Sequence, residues 1–320
     1  MRQTAPVRHH PASDGGMSSS GRQDIYASVT ARIIAALEEG RLPWVRPWQD
    51  GPCDPGLPRN ALSRRPYSGI NILILWGALF DYGWPTQCWL TFRQALEAGG
   101  TVRRGERGTT VVYADRFVPK AERDGERGSD PTSSDGEPRA ISFLKRFTVF
   151  NVAQCEGLSR VVAAPPAPLA RTEIVPLADA VIAASGVAVA IGGNEACYDP
   201  AADRVQLPPQ GAFPDALDWY RTGLHELTHA TGHGARLGRP LDSPFGSAGY
   251  AREELIAEMG AAFLSAALGL EPTVRHADYI GAWLAVLRAD NRAIFRAASA
   301  ASKAADWLLA CPASRQEAGR

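Results

Sequence analysis

The stretch Leu217-Asp-Trp-Tyr-Arg-Thr-Gly-Leu-His225-Glu226-Leu-Thr-His229-Ala-Thr-Gly232 decides the reading of this chain. Leu217, Tyr220, Leu224, Leu227 and Thr231 recur at three- and four-residue spacing, which predicts an amphipathic helix over about 214–232. Gly232 and Gly234 mark its end. His225 and His229 are four residues apart on that helix, so both imidazoles project from one neighbouring face and can hold one metal ion. Glu226 stands beside the first of them, placed to take a proton from a water at the metal's open position. Chance would produce this five-residue pattern about 0.006 times in a chain of this composition. The bland alternative, a decorated exposed helix, is disfavoured further by the helical context. These residues point to a zinc-binding metallopeptidase centre, whose ligand set other divalent transition metals can also occupy.

Two histidines do not complete a site. His233 follows His229 by four residues but lies beyond Gly232, and position 235, where a metzincin carries its third histidine, is Ala235. The cluster Glu253-Glu254-Leu-Ile-Ala-Glu258 is the better source. Glu254 and Glu258 share one face of a helix whose core face is Leu255, Ile256, Met259, Ala262, Phe263 and Ala266, so Glu254 is the expected third ligand. Glu258 is expected to orient a ligand histidine from behind. A solvated acidic helix start, favoured by the helix dipole, is the competing reading. Tyr250, His276 and Tyr279 are candidates to line the cleft.

Outward from this centre, apolar periodicity predicts helices over 25–37, 70–80, 89–100 and 175–184, and strands over 109–118, 141–152 and 187–191. A hairpin is expected at 196–207, turning at Asp199-Pro200. After the 214–232 helix, two more are expected, 250–269 and 276–310. Helices gathered after a small sheet give an α+β fold class. The expected divisions are a loose tail at 1–21, an N-terminal domain at 22–160, a linker at 161–172, a C-terminal domain at 173–311 and a tail at 312–320. The linker, rich in Pro and Ala, reads as a tether between separable domains. Residues 121–138 have no Val, Ile, Leu or aromatic residue and read as a disordered insertion. Met17 is a candidate start.

No apolar run approaches the ~20 residues that span a bilayer, and the N-terminal tail lacks the apolar segment of a secretory signal. The five cysteines are odd in number and form no Cys-x-x-Cys pair, which argues against a disulfide framework and for a reducing cytoplasm. A net charge of zero hides an asymmetry: residues 1–160 hold 21 Lys+Arg against 17 Asp+Glu, and 161–320 hold 13 against 17. Since 121–138 carries six acids and two arginines, the rest of the N-terminal half is more basic still, as a polyanion-binding module requires. Its candidate phosphate contacts are Arg59, Arg64, Arg65, Arg103, Arg104, Arg107, Lys145 and Arg146. Interleaved aromatics are Trp44, Trp48, Tyr67, Trp76 and Trp89. Trp76 and Trp89 sit in apolar runs and read as core, whereas Tyr67, beside the Arg64-Arg65 pair, is the aromatic expected to be accessible for base stacking.

The run His225–His233, the run Tyr250-Ala-Arg-Glu-Glu-Leu-Ile-Ala-Glu258 and the run Ala293–Leu308 resemble the metallopeptidase domain of ArdC-type antirestriction proteins. Asp24-Ile-Tyr, Pro43-Trp44, Asn60, Tyr67–Asn71, Trp89–Ala95, Gly105–Thr110 and Phe147–Val152 resemble that family's N-terminal single-stranded DNA-binding domain, seen also in plasmid TraC-type primases. The resemblance covers about residues 22–310. It implies a zincin-like C-terminal domain, binding of single-stranded DNA with little sequence preference, and carriage on plasmids or other mobile elements. Two functions remain: an enzyme that cleaves proteins met on DNA, or a DNA-coating antirestriction protein whose metal is mainly structural. A metal-dependent nuclease is disfavoured, because phosphoryl chemistry uses hard ions in carboxylate cages.

Overall fold

The computed structural model describes residues 24–45, 53–117, 141–159, 162, 169–273 and 279–318. The expected tail at 1–21, the insertion at 121–138, most of the linker, Trp48 and His276 lie outside them.

The N-terminal domain opens with α1 (Ile25–Glu38), whose Asp24 side chain caps it by accepting from the Tyr26 N–H. Then follow β1 (Arg59–Asn60), α2 (Ile70–Tyr82), β2 (Cys88–Thr91), α3 (Phe92–Glu97), β3 (Thr101–Val102), β4 (Thr109–Phe117), β5 (Ile141–Asn151) and β6 (Cys155–Glu156). The sheet order is β1-β2-β5-β4; β1 and β2 are parallel and the other pairs antiparallel. Among the described residues the strand β4 is an edge, and edges expose unpaired backbone groups. Asn71 at the start of α2 satisfies some of them: its side chain donates to Val112 O (2.7 Å) and accepts from the Val112 N–H (2.9 Å).

The helix expected over 89–100 is a strand followed by a shorter helix. Cys88, Trp89 and Leu90 are all fully buried, as in a central strand covered on both faces, and only at Thr91 does a capping box with Gln94 start α3.

The C-terminal domain contains α4 (Arg171–Ala184), β7 (Ala188–Ile191), β8 (Cys197–Asp199), β9 (Arg204–Leu207), α5 (Ala216–Ala230), α6 (Ala248–Ala267), α7 (Ile280–Ala289) and α8 (Ala293–Ala318). Its sheet runs β7-β9-β8, with β7 parallel and β8 antiparallel to β9. The single helix expected over 276–310 is two, α7 and α8. Asp290 is extended (φ −151°, ψ 107°) and its carboxylate accepts from the Arg292 N–H, ending one helix and starting the next. The backbone of α8 continues to Ala318, through most of the expected tail.

The two domains are not beads on a tether. Trp44 packs edge-on against Trp283 (5.6 Å between centroids) and Trp76 against Phe263 (5.7 Å), and one hydrophobic core runs from α1 and α2 into α6, α7 and α8. Polar contacts close the seam: Thr30 Oγ1 donates to Asn291 O and the Gly69 N–H to Ser302 Oγ, each at 2.7 Å. No helix among the described residues is long and apolar enough to cross a membrane.

Candidate metal centre

Helix α5 begins at Asp215, whose side chain accepts from the Leu217 N–H (3.0 Å), and ends at Ala230 just before Gly232. Its inner face carries His225, Glu226 and Thr228, all buried. Helix α6 crosses it closely at Gly260: a Cβ there would stand 2.5 Å from Thr228 Cγ2, so only glycine permits this approach. That approach brings Glu254 to the two histidines.

The Nε2 atoms of His225 and His229 are 3.2 Å apart. Glu254 Oε2 is 3.7 Å from the first and its Oε1 3.5 Å from the second. One ligand atom from each of the three residues fits within 4.8 Å of the others. Bonds of about 2.0–2.1 Å around a tetrahedral ion put ligand atoms about 3.3–3.4 Å apart, so this set fits zinc and comparable divalent ions. On His229, Nδ1 faces Glu253 Oε1 at 3.2 Å; donating its proton there leaves Nε2 as a lone pair aimed at the gap. On His225, Nδ1 faces Glu258 Oε1 at 3.8 Å. Burial by itself would raise the pKa of Glu254, but its contact with His225 and the positive charge of the two imidazoles while they are protonated outweigh this and hold the carboxyl at about 2. The group is therefore a carboxylate, ready as a ligand.

Glu253 was legible only as part of an acidic cluster. The structure makes it the partner of His229 and of Arg239, whose Nη2 and Nε donate to its two oxygens at 2.7 and 3.0 Å. Arg239 also donates to Thr231 Oγ1 and Thr228 O, which pins the loop after α5 to the helix that carries the histidines. A Glu-Glu doublet opposite a two-histidine helix was the available signal, since neighbours on a helix face directions about 100° apart. His233 is turned elsewhere: its Nδ1 accepts from the Ala235 N–H (3.2 Å) and lies 3.8 Å from Asp203.

The site opens into a cleft of about 300 Å³ that includes Glu226, Tyr198, Phe245, Tyr250 and Tyr279. Tyr250 and Tyr279 share a hydrogen bond between hydroxyls (3.1 Å). Burial first, then Tyr279 and Glu254, push the Tyr250 phenol up, so it is a neutral donor.

In the N-terminal domain, Arg64, Arg65, Arg103, Arg104, Arg107, Lys145 and Arg146 are exposed, with Arg103 paired to Glu106 (2.7 Å), and Arg59 is half-buried in β1. Tyr67 is not accessible: it is 7% exposed, packed into the core, and Trp44, Trp76 and Trp89 are fully buried. The exposed rings among the described residues of this domain are instead Tyr82 (65%), Phe92 (51%), Tyr113 and Phe147, and the last two pack edge-on at 5.4 Å on the paired strands β4 and β5. Two-residue alternation along paired strands puts them on the face of Lys145, the register partner of Tyr113.

Comparison with known proteins followed the same division. Residues 23–150 match the N-terminal domain of anti-restriction factor ArdC, and residues 176–300 match a zincin-like metallopeptidase family. Protein y4eC of Sinorhizobium fredii is 40% identical over 290 residues, covering 90% of this chain and 92% of its own. Two Escherichia coli proteins called DNA primase TraC are 37% and 35% identical over 90% of this chain, which spans only 27% and 20% of their lengths. Among solved structures, the antirestriction protein ArdC of plasmid R388 aligns in metal-free form (38% identity, TM-score 0.74) and in Mn(II)-bound form (37%, 0.73). Each alignment covers 91% of this chain and 99% of that one.

Proposed function

Since the chain belongs to the family of ArdC antirestriction proteins, we propose that it binds single-stranded DNA and hydrolyses peptide bonds of proteins met on that DNA, protecting an incoming element from restriction. His225, His229 and Glu254 would hold a zinc ion, with Glu253 and Glu258 orienting the two imidazoles. Bound there, zinc would polarise a carbonyl and bring the pKa of a water to about 7.

The chain's own groups do the rest. Glu226 faces the cleft and serves as general base, accepting a proton from the attacking water and returning it to the departing amine. Tyr250, kept neutral by its surroundings, can donate a hydrogen bond toward charge developing on a carbonyl oxygen. The aromatic lip at Phe245, 81% exposed, offers an apolar surface to a peptide side chain.

One observation carries the peptidase reading: a buried Glu226 beside the ligand cluster and at an open cleft, where a purely structural site has no use for a base. The test is Glu226→Gln. It should retain zinc and DNA and lose cleavage of a DNA-bound test protein, and in conjugation into a restricting host it separates catalysis from coating. Unchanged cleavage by the variant would remove Glu226 from the mechanism.

A further inference from the structure

Beside the seam between the domains lies a groove of about 850 Å³, apart from the metal cleft. One wall is the N-terminal domain, with Tyr113 on β4, the backbone at Gly69 and Tyr26 of α1. The other wall is helix α8 of the peptidase domain. Phe295, Arg296, Ser299 and Lys303 follow one-, three- and four-residue steps along one side of it, and Arg292 lines the groove from the turn just before the helix. From Phe295 to Lys303 the helix rises about 12 Å, and with Arg292 just ahead of it Arg296 and Lys303 make a row of positive charge on an otherwise alanine-rich surface. Arg292 lies over the Tyr26 ring (4.9 Å) and Arg296 pairs with the half-buried Asp290; both guanidinium groups are exposed to water, where such pairs are weak and exchangeable. The floor includes Arg239, the same residue that holds Glu253 on His229.

We propose that this groove binds the sugar-phosphate backbone of single-stranded DNA, so that the strand lies across both domains and not on the N-terminal domain alone. The proposal rests on the single-strand reading above and adds the path. Cations in a row suit a polyanion, and the rings of Tyr113, Tyr26 and Phe295 among them suit bases more than an acidic peptide, which offers nothing to stack. The path also brings the strand within one side chain of the metal centre, because Arg239 separates the groove from Glu253.

The experiment uses the full chain, a labelled 20-nucleotide oligothymidylate and a salt titration. Wild type is compared with Arg292→Ala/Arg296→Ala/Lys303→Ala, and with Lys303→Glu alone as the milder variant, each checked for unchanged melting and metal content. Losing three phosphate contacts should weaken binding by about tenfold or more at low salt and make the slope of log affinity against log salt shallower by about 2. Iodouracil in the oligonucleotide should cross-link to Tyr113 or Tyr26. If wild type binds while both variants keep its affinity and slope, the groove is wrong and the single-strand reading stands. If wild type does not bind, both fall. If polyglutamate competes as well as the oligonucleotide at equal charge, the groove serves acidic protein and the proposal fails.

Discussion

Replacing Gly260 with alanine tests whether helix contact, and not ligand chemistry alone, assembles the metal site. The added Cβ would stand 2.5 Å from Thr228 Cγ2 and 3.0 Å from its Oγ1. Carbon atoms pack at about 3.5–4.0 Å, so the overlap is roughly 1 Å. Thr228 cannot easily rotate away, because its hydroxyl donates to Leu224 O at 2.8 Å. The helices must part, at a cost of about 1–3 kcal/mol, or roughly 3–9 °C in melting temperature for a domain this size. Parting moves Glu254 off the imidazoles: the 3.5 Å contact with His229 would stretch by about as much as the overlap, beyond what one ion can bridge. Zinc affinity should fall by about tenfold or more. Adding Thr228→Ala removes both clashing atoms and leaves Thr228 Cβ as the neighbour, at 3.3 Å. The double variant should therefore melt higher and hold zinc better than Gly260→Ala alone, a coupling that a double-mutant cycle would measure. Melting curves and zinc content after dialysis against a weak chelator decide it. Gly260→Ala with wild-type values for both would show that this contact does not set the approach.

Glu254→Ala should empty the site under the same dialysis, Glu253→Ala and Arg239→Ala should weaken zinc by about 10–100-fold, and His233→Ala should leave it full; a full Glu254→Ala protein would reassign the ligand set. A fragment of residues 22–160 should not fold alone, since it would leave Trp44 and Trp76 without Trp283 and Phe263; each such side chain is worth about 1.5–3 kcal/mol when buried, against a total stability of about 5–15. A cooperative unfolding transition for that fragment would contradict the shared core. In the β8–β9 turn, the hydrogen bond from Arg236, aided by Tyr198, outweighs burial and holds the Asp203 carboxyl at about 2. A lowered carboxyl pKa stabilises the fold above the unfolded value near 3.9, and that stability is lost as pH falls toward 2. The gap in unfolding free energy from urea titrations between wild type and Asp203→Asn should thus be full at pH 6 and close in acid, staying under about 1 kcal/mol because the pair is partly solvated; a gap that grows on acidification would refute it.

Much of the fold was readable where local pattern suffices. The strands β4 and β5, the β8–β9 hairpin and helices α5 and α6 follow from two-residue and 3.6-residue periodicity and, at the β8–β9 turn, from turn chemistry. Reading failed where burial overrides periodicity. Cys88-Trp-Leu90 is apolar without alternation, so a doubly covered strand looked like a helix start. Tyr67 followed two exposed arginines and still turned inward, while Tyr113 and Phe147, which drew no notice, stand exposed. Nothing in a single strand says which of its faces will be covered until the neighbouring elements are in place.

The sequence by itself determined the chemistry of α5, because a four-residue spacing on a 3.6-residue helix puts His225 and His229 on one face whatever surrounds them. It also pointed to Glu254, at the acidic start of α6, as the expected third ligand. Only the tertiary structure put Glu253 behind His229 with Arg239, because that depends on how one helix is rotated against another. It likewise decided that the domains share one core and one basic groove. Packing across hundreds of residues, Trp44 on Trp283 and Gly69 on Ser302, leaves no periodic trace in the chain; it exists only once both halves have folded onto each other.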